Sequence, residues 1–171
     1  MLADEEIIKD VIDREQGFVD HPDDKGGPTK YGITLSTLTA WRGKEVTKQD
    51  VEDLSKGEAS DIYREMYISR PGLNRIPEWK LRGMLVDIAV NHGPKRAIKM
   101  LQKVLKIEED GIIGPETIKA FFSITNHLKV YLGVCAERVR VYGRIITNDS
   151  KQASFAAGWA ERAASFIDAA V

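Results

Sequence analysis

The sequence predicts an all-α fold, or α+β at most with one short hairpin after the first helix. Two observations carry this. Apolar residues recur at three- and four-residue spacing through most of the chain. Pro and Gly cluster between those stretches, and no alternating pattern competes as a strand outside residues 19–33.

Ile7, Ile8, Val11 and Ile12 predict a first helix from Asp4 to Gln16, with Gly17 as its stop. The segment VDHPDDKGGPTKYG, residues 19–32, reads as a structured loop or hairpin. Thr34 or Ser36 caps a short helix through Trp41. Thr47 with Asp50 three residues later resembles a capping box for a helix over 48–54. A further helix runs over 58–69 and ends at Pro71-Gly72. Leu81, Leu85, Ile88 and Ala89 share one face of a helix over 80–92. Gly93-Pro94 breaks the chain, and Pro94 opens the next helix, which buries Ile98, Leu101, Val104 and Leu105. The loop EEDGIIG follows, and Pro115 starts another helix. Two long helices, 126–147 and 151–169, close the chain. There is no internal repeat.

The 171 residues are enough for a self-sufficient core without a metal or disulfide staple. The 43% hydrophobic and 30% charged residues exclude a disordered chain. With 25 Lys+Arg against 26 Asp+Glu, nothing points to a nucleic-acid partner. A single cysteine, Cys135, rules out an internal disulfide, and its place between Val134 and Ala136 in a helix predicts packing rather than nucleophilic chemistry. The N-terminus lacks a basic start and apolar run, so synthesis in the cytoplasm without a signal peptide is expected. No apolar stretch is long enough for a membrane span. His21, His92 and His127 are scattered, so no metal site and no cofactor are expected. Pro22 and the late Gly26 break any calcium-loop pattern. Phosphate-binding and serine-hydrolase motifs are missing too.

The chemistry points to Glu15. It lies seven residues after Ile8 and three after Ile12, on the apolar face and in the last helical turn. Desolvation and the negative end of a helix dipole both raise a carboxyl pKa, and a general acid must hold its proton. The competing reading is a helix-end glutamate paired with Arg14. The loop beyond carries Asp20, Asp23, Asp24, Gly26-Gly27, Thr29, Tyr31 and Thr34. A glycosidase needs an acid on one side of the bond and a second carboxylate on the other. Turn formation is the ordinary job of such aspartates.

The string EQGFVDHPDDKGGPTKYGIT, residues 15–34, resembles the signature of glycoside hydrolase family 108. Gln16 stands where that family carries glycine, and Phe18 fills its aromatic position. The resemblance continues through Ala59, Ile62, Tyr63, Arg64 and Tyr67, and again through Asp87, Ala89, Val90, Asn91, Gly93 and Pro94. The segment AIKMLQKVLKIEEDGIIGPETIKAF and the closing GWAER resemble a helical peptidoglycan-binding module. The resemblance implies a lysozyme-like fold and an N-acetylmuramidase of the endolysin type. Such enzymes cut the β-1,4 bond from N-acetylmuramic acid to N-acetylglucosamine.

The resemblance places the catalytic glutamate on Glu15. Asp24, nine residues on, resembles the aspartate of phage-type lysozymes, and Thr29 their nearby threonine, one residue short of that spacing. Asp20 and Asp23 remain alternatives for the second carboxylate. Tyr31, Thr34, Tyr63, Tyr67 and Asn91 are the expected sugar contacts. Tyr63 and Tyr67, four apart, also fit mutual packing, and Asn91 also fits helix capping. Trp41, Trp79 and Trp159 are expected as core or lobe-interface anchors rather than sugar platforms.

Residues 1–92 are expected to form the hydrolase lobe, and 93–171 the binding module, packed as one compact monomer. Peptidoglycan glycan strands are the expected partner. The enzyme would reach the periplasmic wall after holin-type or other release. A lytic transglycosylase and a non-catalytic peptidoglycan-binding or secretion-assisting protein are the competing readings. The acidic site at Glu15 favours an enzyme over a binder.

Overall fold

The computed structural model describes residues 2–15, 17–19 and 27–169. Backbone contacts divide the chain into two compact units, Met1–Arg70 and Pro71–Val171. Each is mostly helical, as the apolar spacing predicts.

The first unit opens with helix α1, Leu2–Arg14. Ile7, Ile8, Val11 and Ile12 are buried on one face, at the spacing that brings helical side chains together. Three short strands follow: β1 (Phe18–Val19), β2 (Thr29–Lys30) and β3 (Ile33–Thr34). They form an antiparallel sheet in the order β1-β2-β3, with Phe18 opposite Lys30 and Thr29 opposite Thr34. The hairpin expected over 19–33 is therefore present and has a third strand.

Helix α2 (Leu35–Arg42) is capped by Thr34, whose hydroxyl accepts from the Thr37 N–H at 3.2 Å. Helix α3 (Lys48–Glu52) begins with the expected capping box: Thr47 and Asp50 each satisfy the other's backbone N–H. Arg42 ties α2 to its neighbours, donating to Asp50 at 2.8 Å and bidentately to Glu58 at 2.9 Å. Glu58 belongs to helix α4, Lys56–Ile62, which packs against α1.

Beyond α4 the structure departs from the continuous α-helix that the spacing predicts. Tyr63–Ser69 is a π-helix, closed by the Arg70 N–H donating to the Glu65 carbonyl at 2.8 Å. The sequence contains a reason. The apolar positions needed inside are Ile62, Tyr63 and Ile68, and i→i+5 winding brings residues five apart onto one face. All three are buried.

The second unit is built from α5 (Trp79–His92), α6 (Pro94–Leu105), α7 (Pro115–Phe122), α8 (His127–Asn148) and α9 (Ala156–Asp168). Its core includes Leu81, Leu85, Ile88, Ile98, Leu101, Phe121, Val134, Cys135 and Phe166. Each such side chain contributes roughly 1.5–3 kcal/mol by leaving water. Two expectations need correction. Trp79 is half exposed, because it sits in the first turn of α5, ahead of the stripe that starts at Leu81. The last helix does not begin at 151. Asp149 caps a 3-10 turn over Ser150–Phe155, and α9 starts after it.

The loop between α6 and α7 is held by one buried side chain. The Gln102 amide donates to Asp110 at 2.6 Å, to the Ile112 carbonyl at 3.0 Å and to Thr117 at 3.1 Å. Its carbonyl oxygen accepts from the Gly111 N–H at 2.8 Å. Four contacts on one buried amide make the DGIIGPET segment a rigid turn. Pro115 opens α7 as the sequence predicts.

Candidate active site

Glu15 follows α1 immediately. Its N–H still donates to the Val11 carbonyl at 3.1 Å, so the last turn of the helix fixes its backbone. The side chain is half exposed. Gly17, at φ +78°, turns the chain from the helix into β1.

The turn between β2 and β3 seats Glu15 from behind. Tyr31 and Gly32 link the strands with φ of +52° and +73°, a two-residue turn with both centres left-handed. Glycine takes this conformation freely, whereas tyrosine is strained by about 1–2 kcal/mol. Tyr63 offsets that strain: its hydroxyl donates to the Tyr31 carbonyl at 2.7 Å. Gly32 is required for space as well. A Cβ there would stand 2.5 Å from the Tyr63 hydroxyl and 3.1 Å from Glu15 Cγ. The absence of a side chain at 32 lets the turn close on the stem of Glu15.

The other expected site residues fall into three groups. Some are on the hairpin and half exposed. Thr29 donates its hydroxyl to the Gly27 carbonyl at 3.1 Å, which leaves its lone pairs able to accept. The Tyr31 ring lies 5.3 Å from the Lys30 ammonium and 6.0 Å from that of Lys56, both within cation–π range. Thr34 spends its hydroxyl on the α2 cap and on contacts with Ser36 and Thr37.

A second group is structural. Tyr63 is fully buried, so the expectation that its ring meets sugar is corrected: it packs 5.3 Å from Tyr67 and braces the Tyr31 turn. Tyr67 is partly exposed; burial raises its phenol above the usual range, and a hydrogen bond to Thr37 opposes that. Asn91, on the second unit, is exposed, and its amide donates back to the Asp87 carbonyl at 2.7 Å, as in the helix-end reading.

The third group, Asp20, Asp23 and Asp24, lies outside the described residues, as do Gln16, His21, Pro22 and Gly26. Among the described residues, no group of three or more His, Cys, Asp or Glu side chains could hold a metal ion.

Sequence reading missed what Asp87 does. Asp87 and the GWAER tail stand 75 residues apart, yet Arg162 donates to Asp87 at 2.9 and 3.1 Å. Arg138, fully buried, donates to the other side of the carboxylate at 2.6 Å and to the Tyr142 hydroxyl at 2.6 Å. Burial pushes the Asp87 carboxyl up, but its bonds to Arg162 and Arg138 win and hold it below the ordinary range. These motif residues are architecture, because the carboxylate has no free face left for a substrate. The available signal was an Asp on an apolar helix face, which needs a buried partner. Beside this cluster, the His92 ring lies 5.6 Å from that of Tyr142, tilted by 56°, with its Nε2 buried and unbonded. Burial first, then the positive charge of Arg138 and Arg96, lowers His92 to about 4.

Residues 8–93 match the family model Glycosyl hydrolase 108. The chain belongs to glycosyl hydrolase family 108. Residues 96–164 match a second model, Predicted Peptidoglycan domain. No protein of curated function matches significantly. Among solved structures, Brucella abortus SagA is 35% identical, with a TM-score of 0.86, over 98% of this chain and 92% of that one. This family 108 member is thus a glycoside hydrolase of peptidoglycan with a lysozyme-like, mostly helical fold, and it acts on the cell wall. No helix of the described residues is long and apolar enough to cross a membrane.

Proposed function

We propose that Glu15 is the general acid of an N-acetylmuramidase reaction. The supporting observation is its position: a half-exposed carboxylate at the end of α1, its stem closed in by Gly32 on a turn braced from the core. Glu15 gives its proton to the oxygen leaving with N-acetylglucosamine, as the bond to C1 of N-acetylmuramic acid breaks. Water adds to C1 and loses its proton to a second carboxylate. Asp24 takes that role in this reading, with Thr29 accepting a hydrogen bond from the water. Tyr31, Tyr67 and Thr34, on the same unit as Glu15, contact the glycan.

Residues 1–92 form the hydrolase lobe and 93–171 the wall-binding module of a monomer. The protein is made in the cytoplasm and reaches the periplasmic wall by holin-type or other release.

Mass spectrometry of borohydride-reduced fragments from purified peptidoglycan tests the reaction. Wild type should release fragments ending in reduced N-acetylmuramic acid. Glu15→Gln should be slower by about 10²–10⁴-fold, the usual contribution of a positioned acid, with an unchanged melting temperature. Anhydro ends would move the chemistry to transglycosylation. A folded Glu15→Gln protein with normal activity would remove Glu15 from the site.

A further inference from the structure

We propose that a charged groove between α6 and α8 binds the stem peptide of peptidoglycan, not its sugars. The proposal rests on peptidoglycan being the substrate, but not on Glu15. The groove encloses about 330 Å³. Its charged lining is Arg96, Lys99 and Lys103 from α6, Glu137 and Arg144 from α8, and Glu109 from the loop after α6.

These charges are unequally committed. Glu137 is buried and saturated: Lys103 and Arg144 each approach it to 2.7 Å, and Arg140 to 3.4 Å. That cluster is a fixed floor in which Glu137 is fully engaged. Arg96 and Lys99 make no ion pair among the described residues, and Lys99 acts on Asp110 only through space. Both stand one turn apart on the same face of α6. Glu109 is exposed and makes no ion pair either. The groove therefore offers two uncommitted cations and one uncommitted carboxylate. Met100, Val141 and Ile145 supply an apolar wall.

A neutral glycan has nothing to offer two unpaired cations. A stem peptide does: it carries free carboxylates for Arg96 and Lys99, methyl groups for the apolar wall, and, where its diamino acid is uncrosslinked, an ammonium for Glu109. A polymer of phosphates alone fits less well, because it offers no methyl groups for the apolar wall and no ammonium for Glu109.

Calorimetric titration of the full chain tests this with two probes: a disaccharide-tetrapeptide muropeptide, and the same disaccharide with its lactyl carboxyl capped as a simple amide in place of the peptide. The peptide-bearing probe should bind at least about tenfold more tightly, as expected for added charge-assisted hydrogen bonds. The preference should weaken as salt rises. The double variant Arg96→Ala/Lys99→Ala should lose it while keeping its circular-dichroism melt. Arg96→Gln/Lys99→Gln, which retains the side-chain stems, should behave alike. Equal affinity for the two probes, no binding of either, or a folded double variant with unchanged preference would overturn the proposal. Hydrolysis of whole peptidoglycan is read separately. An inactive wild type with intact stem preference would strike the muramidase reaction and leave the groove proposal standing.

Discussion

In Met1–Arg70 the ion pairs lie at or near the surface, whereas Pro71–Val171 buries its most elaborate one. Arg64 meets Glu5 and Asp61 with every side chain substantially exposed, and Lys9 pairs with Asp13 in water. Such pairs contribute little, a median of about 0–1 kcal/mol. The strain in that unit is conformational and sits in the Tyr31–Gly32 turn against Glu15. The second unit instead closes two arginines on Asp87 inside the protein. There, although Lys106 is also left-handed at φ +59°, the larger risk lies in unpaired charge. The contrast separates a region whose strained turn closes on the proposed acid from one whose charges hold helices together.

Removing Asp87 should have the largest effect on stability. Asp87→Ala leaves Arg138 buried without its carboxylate, and denaturant unfolding should record a loss of about 3–5 kcal/mol. A loss below 1 kcal/mol would place this cluster with the surface pairs and end the contrast.

Gly32→Ala comes next. A Cβ 2.5 Å from the Tyr63 hydroxyl, at φ +73°, should cost about 2–4 kcal/mol. It should also lower peptidoglycan cleavage at temperatures where the variant remains folded, because Glu15 Cγ is the next atom displaced. Normal cleavage by such a variant would mean that the turn does not position Glu15.

Tyr63→Phe is milder. It removes the donor to the Tyr31 carbonyl while keeping the buried ring, and should cost about 1 kcal/mol.

A separate effect is one of pH. His92 titrates near 6.5 when unfolded and at about 4 when folded, so the unfolded state binds the extra proton between those values. Melting temperature should therefore fall as pH drops from 6.5 towards 4, and His92→Gln should flatten that slope. Asp87, whose folded carboxyl is lowered, acts later: its contribution is present above its unfolded value of 3.8 and is lost as pH falls further. A melt that is flat between pH 6.5 and 4 in the wild type would show that His92 is not buried as described.

Much of this was legible along the chain because it is local. Helix spans follow three- and four-residue spacing, and the Thr47–Asp50 box and Pro115 start depend on neighbours in sequence. Thr34 was readable as both a cap and a site residue, and its hydroxyl is found on the cap. Other features needed distant partners. Tyr63 reads equally as a sugar platform or a packed ring until the Tyr31 carbonyl, 32 residues earlier, is seen accepting its hydrogen bond. Trp79 reads as an anchor until its place ahead of the buried stripe leaves it in solvent.

The sequence by itself determined the family and the candidacy of Glu15, through the contiguous motif over residues 15–34, and the helical class, through three- and four-residue apolar spacing along the chain. Only the tertiary structure decided that Gly32 closes on the Glu15 stem and that Asp87 joins Arg138 and Arg162. The physical reason is range. Propensity, capping and turn chemistry act over a few residues, whereas steric closure and the pairing of buried charge depend on which distant segments the core brings together.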